Sequence, residues 1–162
     1  MPITADPRVM FFSAPQPPFL VRPLVILQDQ HIVAKHLADG RIMVTDLGHG
    51  ADGSGDDDAA RERLADVLGR FLPPLHRLPY PQAIAGAYDV TPDNQLVVGP
   101  VEQRPGLWIA AGTNGRGMML APSVGRMIAR AITGDEPDGI LSDLLPVRFS
   151  DGRVLRAESQ ML

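Results

Sequence analysis

A chain of 162 residues fits one domain with one modest core, and its formal charge of −4 is spread over both signs. The basic residues form no stripe, which argues against nucleic acid or an anionic membrane surface as partner. The lack of cysteine rules out a disulfide framework and a thiolate zinc site. No run approaches the roughly 20 apolar residues of a membrane span, and no signal-like region opens the chain, so a soluble, cytoplasmic protein is expected.

Residues 1–18, dense in proline, read as an extended arm or edge segment that would not form a core alone, because proline removes ladder donors and fixes φ. FLVRPLVIL, QHIVAKHL and RIMVT follow as short β-rich runs. Ala38-Asp39-Gly40 separates the last two as a hairpin signal, so an antiparallel meander is predicted over 19–45. LGHGADGSGDDD breaks all periodicity. Asp56 to Asp58 suit a helix N-terminus, and ARERLADVLGRFL spaces Leu64, Val67, Leu68 and Phe71 along one stripe before Pro73-Pro74.

AIAGAYDV, LVVG and LWIAAG read as three more strands, with TPDNQ and Arg104-Pro105-Gly106 as the turns between them. LWIAAG is apolar throughout and is expected to be a central strand buried on both faces. A second helix follows, carrying Met118, Leu120, Val124, Ile128, Ala129 and Ile132, with Gly134 as its stop. The expected fold is α+β: an antiparallel or mixed sheet with two main helices, one domain over 19–149 and a tail over 150–162.

Between the last strand and the last helix lies GTNGRGMMLAPSVGR, residues 112–126. Gly112, Gly115 and Gly117 permit positive φ and close approach of a ligand to the backbone. The free N–H groups and positive end of the following helix favour an electron-rich group. The spacing matches neither GxGxxG with its downstream acid nor GK[ST], so pyrophosphate is not indicated. A connection that binds nothing is the other reading, and spacing alone does not choose between them.

Other residues read more plainly. His31, His36, His49 and His76 lack metal-ligand spacing and no metal is expected; Asp56 to Asp58 lack the alternation of a calcium loop. Ser13, Ser54 and Ser123 stand outside any G-x-S-x-G context. Met118 and Met119 are expected in the core or beside a ligand, with one of them in the core, and Tyr88 as a cross-strand aromatic or a site residue.

The region from Gly86 to Phe149 resembles the C-terminal part of the FAD-dependent amine and amino-acid oxidoreductases. That group contains D-amino-acid oxidase, glycine oxidase, sarcosine oxidase and dimethylglycine dehydrogenase. The resemblance rests on Thr91-Pro92-Asp93, the strand ending at Gly99, LWIAAG, Gly115-x-Gly117, AP-x-x-GR at 121–126, and Arg148-Phe149. More weakly, the run from Phe19 to Thr45 is similar to strands of the family's substrate domain, so the likeness is read over 19–149.

The resemblance implies the C-terminal part of a two-domain flavoprotein fold, FAD as cofactor, and oxidation of a C–N bond in an amine or amino acid with hydride passing to the flavin. It places Gly112, Thr113, Asn114, Gly115, Arg116, Gly117 and Met118 beside the flavin ring, where N–H donors and a helix N-terminus stabilise the reduced ring.

The departures are as specific. No GxGxxG unit for the ADP half of FAD is present, so the cofactor site is expected to be incomplete and to need an FAD-binding partner chain or a missing half. Gly86 stands where covalent members have cysteine, implying non-covalent FAD. Met119 stands where sarcosine-oxidase-like members have a carboxylate-binding lysine, and Tyr88 near where others have arginine. Arg116 and Tyr88 remain the candidate substrate-side residues, Arg116 as a cation for an anionic group. A homo-oligomer or a heteromeric complex is expected; a catalytically silent binding or scaffold subunit and a truncated remnant without its own activity are the alternatives.

Overall fold

The structure is a computed structural model that describes residues 1–17, 20–48, 58–135 and 139–155. His49, Ser54, Asp56 and Asp57 lie outside the described residues, as do the tail beyond 155 and Phe19 at the start of the expected meander. The fold is α+β, with antiparallel sheets and few helices. The single domain expected over 19–149 is instead divided between two compact units: Pro7–Ala87, and Met1–Asp6 together with the described residues from Tyr88 onward.

The first unit holds most of a five-stranded sheet of order β2-β3-β4-β1-β5, of which Thr4–Asp6 and Tyr88–Val90 are counted with the second unit. Its strands are β1 (Thr4–Phe12), β2 (Val25–Leu27), β3 (Ile32–His36), β4 (Ile42–Asp46) and β5 (Gln82–Val90). The meander is present: β2 to β4 pair antiparallel in sequence order, with Ala34 opposite Val25 on one side and Val44 on the other. Gly40 takes φ +88° in the hairpin, where its amide donates to the carbonyl of Leu37.

The arm reading of residues 1–18 is corrected. Thr4–Phe12 is an interior strand, paired antiparallel to β4 with Met10 opposite Thr45 and Phe12 opposite Met43. The prolines concentrate at 15, 17 and 18, whereas Arg8 to Phe12 has none and keeps every ladder donor. Val9 and Phe11 alternate onto one face and are almost fully buried. Ser13 ends the strand, its hydroxyl donating to Ala14 O at 2.7 Å and accepting from the Ile42 amide at 2.9 Å.

Helix α1 (Asp58–Phe71) covers this sheet with Leu64, Val67 and Leu68, which join Val9, Phe11, Ile32, Ile42 and Val44 in one core. Phe71, expected on the same stripe, is 43% exposed. Pro73-Pro74 ends α1 as predicted and opens a further turn, α2 (Pro73–His76), where a missing N–H is harmless at the first positions.

The second unit is a two-stranded antiparallel sheet, β6 (Val97–Pro100) with β7 (Trp108–Ala111), and the helices α3 (Gly117–Thr133) and α4 (Leu141–Leu144). A 3-10 turn over Pro146–Phe149 follows α4. Val98, Met127, Leu141 and Leu144 form its core. LWIAAG is not a central strand buried on both faces: β7 pairs with β6 alone, and Ala110 is exposed. Gly134 closes α3 at φ +83°, its amide bonded to the Arg130 carbonyl.

The face of α3 agrees with expectation at Val124 and Ile128 and differs at Met118 and Ile132, which are exposed. Val124, Met127, Ile128 and Ala131 turn to the core, while Met118 and Met119 are 92% and 69% exposed, so neither is a core residue. The helix is apolar on more than one side, and a 3.6-residue period fits either stripe equally.

Candidate functional site

The candidate site lies within the second unit, where the end of β5 meets the turn between β7 and α3. Asp89, near the end of β5, organises it. One carboxylate oxygen, Oδ1, accepts from the Thr113 hydroxyl at 2.7 Å and the Thr113 amide at 3.1 Å, while Oδ2 accepts from the Gly112 amide at 2.7 Å. The Asp89 carbonyl takes the Asn114 amide at 3.2 Å. Partial burial pushes the carboxyl pKa up, but the bonds from Thr113 and Gly112 outweigh it and hold the group below its ordinary value.

Clasped in this way, the turn adopts left-handed backbone at Gly112 (φ +73°), Asn114 (φ +49°) and Gly115 (φ +78°). Its glycines answer first to neighbours in this chain. A Cβ on Gly112 would collide with the Thr91 methyl, and one on Gly115 would come within 2.5 Å of the Tyr88 ring. Tyr88 is therefore the aromatic wall against which the turn closes. Gly117 differs from the sequence expectation: it begins α3 and is not among the positive-φ glycines, and a Cβ there would lie 3.3 Å from the Thr113 hydroxyl.

The turn leaves polar groups uncommitted. The amides of Gly115, Gly117 and Met118 donate to no acceptor among the described residues, and Asn114 Oδ1 is buried without a partner. Arg116 caps the helix entrance: its carbonyl accepts from the amides of Met119 and Leu120, and its Nη2 donates to Asn94 O at 3.0 Å.

A buried ion pair supports this arrangement from behind. Arg148 donates through Nε to Asp93 Oδ2 at 3.0 Å and through Nη2 to Oδ1 at 3.2 Å, and both side chains are almost wholly buried. Asp93 also takes the Gln95 and Leu155 amides and the Thr91 hydroxyl. Arg148 places its other donors on the carbonyls of Leu144 and Gln95. Burial raises the Asp93 pKa, but the hydrogen bonds from Arg148, Gln95 and Leu155 and the Arg148 charge bring it below its ordinary value. The two motifs Thr91-Pro92-Asp93 and Arg148-Phe149, separate in sequence, are thus one structure.

The family model described as FAD dependent oxidoreductase matches residues 3–131. The chain belongs to the FAD-dependent oxidoreductase family. The match begins within the segment expected to be an arm and stops before Arg148-Phe149, so its extent differs from 19–149. Among curated proteins, glycine oxidase of Pseudomonas aeruginosa is 29% identical over 120 residues, which is 74% of this chain and 32% of the relative.

Among solved structures, L-proline dehydrogenase from P. horikoshii superposes with a TM-score of 0.84 at 26% identity, covering 95% of this chain and 42% of that one. Glycine oxidase from Geobacillus kaustophilus gives 0.74 at 17% identity, covering 90% and 39%, and shows the fold. The chain therefore spans less than half of these relatives.

The turn carries groups of the kinds that could hold a flavin. The pyrimidine edge of the ring alternates carbonyl acceptors with an N–H donor, and the turn offers the complementary set: three uncommitted amides and the orphaned Asn114 oxygen. Asp89 was missed in reading the sequence. Its signal was available, since an aspartate inside an apolar strand is disfavoured there unless it has partners.

Proposed function

We propose that this chain supplies the ring-side part of an FAD-dependent oxidoreductase acting on the C–N bond of an amine or amino acid, completed by an FAD-binding half. FAD, when bound, would provide the acceptor for the electrons and hydride leaving that bond. The observation that carries the reading is the Asp89-clasped turn, whose amides at Gly115, Gly117 and Met118 point no hydrogen bond inward.

In this proposal Gly112, Thr113, Asn114, Gly115, Gly117 and Met118 hold the cofactor non-covalently, with donors and the positive end of α3 set where negative charge develops. Donors fixed in advance need no reorganisation during reaction, which is why the Asp89 clasp matters. Arg116 sits at the same helix entrance and supplies positive charge toward an anionic substrate group. Tyr88 shapes the wall beside Gly115 and excludes water there.

The test uses the chain combined with an FAD-binding half. Flavin content and the anaerobic rate of flavin reduction by glycine, sarcosine and proline are measured for wild type and Arg116→Ala. Retained flavin with reduction slowed about tenfold or more, the scale of about 1.4 kcal/mol, is expected for the variant. Unchanged reduction with every substrate would remove Arg116 from the site. A wild-type complex that binds FAD but is reduced by none of the three favours the silent-scaffold reading.

A further inference from the structure

The chain has two asparagines, Asn94 followed by Gln95 and Asn114 followed by Gly115. The backbone nitrogen of the next residue can attack an asparagine carboxamide, closing a five-membered succinimide and expelling ammonia. Glycine in that next position removes the Cβ that hinders the approach and leaves the peptide free to rotate. Only Asn114 has this neighbour. The Gly115 amide donates to no acceptor among the described residues, so no hydrogen bond has to break before it loses its proton.

The closed turn holds this reaction back. The Asn114 amide donates to the Asp89 carbonyl at 3.2 Å and its Nδ2 to the Gly112 carbonyl at 3.1 Å, so the side chain is folded back along the turn while the nucleophile lies one residue ahead. Attack also places negative charge on Asn114 Oδ1, which is buried and meets no donor. An oxyanion formed there is neither solvated nor hydrogen-bonded. Reaction therefore requires the turn to open, and the Asp89 bonds to Gly112 and Thr113 set how often it does.

We propose that Asn114 is a site of spontaneous deamidation gated by the Asp89 clasp. In the open turn the Gly115 nitrogen loses its proton and bonds to the Asn114 carboxamide carbon, while Nδ2 takes up a proton and leaves as ammonia. Water then opens the succinimide. Cleavage of the bond from the Gly115 nitrogen to the side-chain carbonyl gives aspartate, and cleavage of its bond to the main-chain carbonyl gives isoaspartate, whose backbone is longer by a methylene. Both products carry a carboxylate. The consequence rests on the flavin reading above: either product sets negative charge where the reduced ring develops its own, so the modified turn loses the ring.

The chain is held in mildly alkaline buffer, folded and in urea, and the peptides containing Asn94 and Asn114 are followed by mass spectrometry with aspartate and isoaspartate separated. Conversion of Asn114 is expected in the folded chain, more slowly than in urea, with Asn94 lagging in both. Asp89→Asn should speed it about tenfold or more in the folded chain, in step with amide exchange at Gly112 and Thr113. No conversion of Asn114 in the folded chain, equal rates folded and in urea, Asn94 keeping pace with Asn114, or a folded Asp89→Asn that reacts no faster would overturn the proposal. The wild-type comparison decides it even where the variant fails to fold. FAD titrations of fresh and aged ¹⁵N-labelled chain test the consequence separately. Shifts at Gly115, Gly117 and Met118 that vanish on ageing support it, and shifts that survive complete conversion overturn it. Shifts already missing from the fresh chain contradict the flavin reading and leave the deamidation standing.

Discussion

Asp89 and Thr113, on separate elements, are joined twice: the carboxylate takes the Thr113 hydroxyl at 2.7 Å and its amide at 3.1 Å. With the Gly112 bond, this fixes the backbone of a turn that would otherwise sample many conformations, as glycine-rich segments do. Replacing Asp89 by Asn keeps the shape but turns one acceptor into a donor that faces an N–H. Hydrogen exchange at the Gly112 and Thr113 amides should accelerate by roughly tenfold or more, the scale of about 1.5–3 kcal/mol for bonds to a charged group. Unchanged protection would show that the clasp does not hold the turn.

Arg148 and Asp93 bury a charge pair whose every oxygen is engaged. Arg148→Met strands the Asp93 carboxylate in the core and should cost about 3–5 kcal/mol in urea unfolding, whereas Arg148→Met with Asp93→Asn should cost less than the sum of the two single changes. Strict additivity would contradict the pairing.

The acid limb of stability follows from the same groups. Asp89 and Asp93 both have lowered folded pKa values, so each contributes stability that is fully present above the unfolded value near about 3.9 and is lost as pH falls through the folded value. Unfolding free energy should therefore drop below about pH 4 in wild type and fall less steeply in Asp89→Asn. Parallel acid limbs in the two proteins would sink the assignment.

Two glycines should respond in opposite directions. Gly115→Ala meets the Tyr88 ring and takes a left-handed φ, so it should destabilise by about 1–2 kcal/mol from the backbone alone, with more from the ring. Gly125→Ala, in an open stretch of α3 with nothing near its Cβ, should stabilise by up to about 1 kcal/mol. Thermal melts of the two variants distinguish positional need from mere glycine content.

Much of this was legible in the residues. The Asp39-Gly40 hairpin, the Leu64, Val67 and Leu68 stripe, the Gly134 stop and the left-handed glycines at 112 and 115 all follow from local rules. What was not legible depends on partners distant in sequence. Prolines near Phe12 masked a buried strand whose pairing with β4 no local signal reports. The choice of face on α3 was made by Val98 and the helix α4, not by the helix itself. Arg148 finds Asp93 across 55 positions, a closure that two short motifs cannot announce.

The central claim is that the turn from Gly112 to Met118 holds a flavin ring, and the most direct measurement is a titration of FAD into the ¹⁵N-labelled chain. Binding is expected to be weak, since residues for the pyrophosphate and adenosine are not among those of the turn. The shifts should nonetheless concentrate at the amides of Gly115, Gly117 and Met118 and at the Asn114 side chain, and Gly117→Val, whose side chain crowds Thr113 and the helix entrance, should remove them while leaving the β6–β7 signals in place. FAD shifts that leave those three amides unmoved, or that persist unchanged in Gly117→Val, would contradict the account.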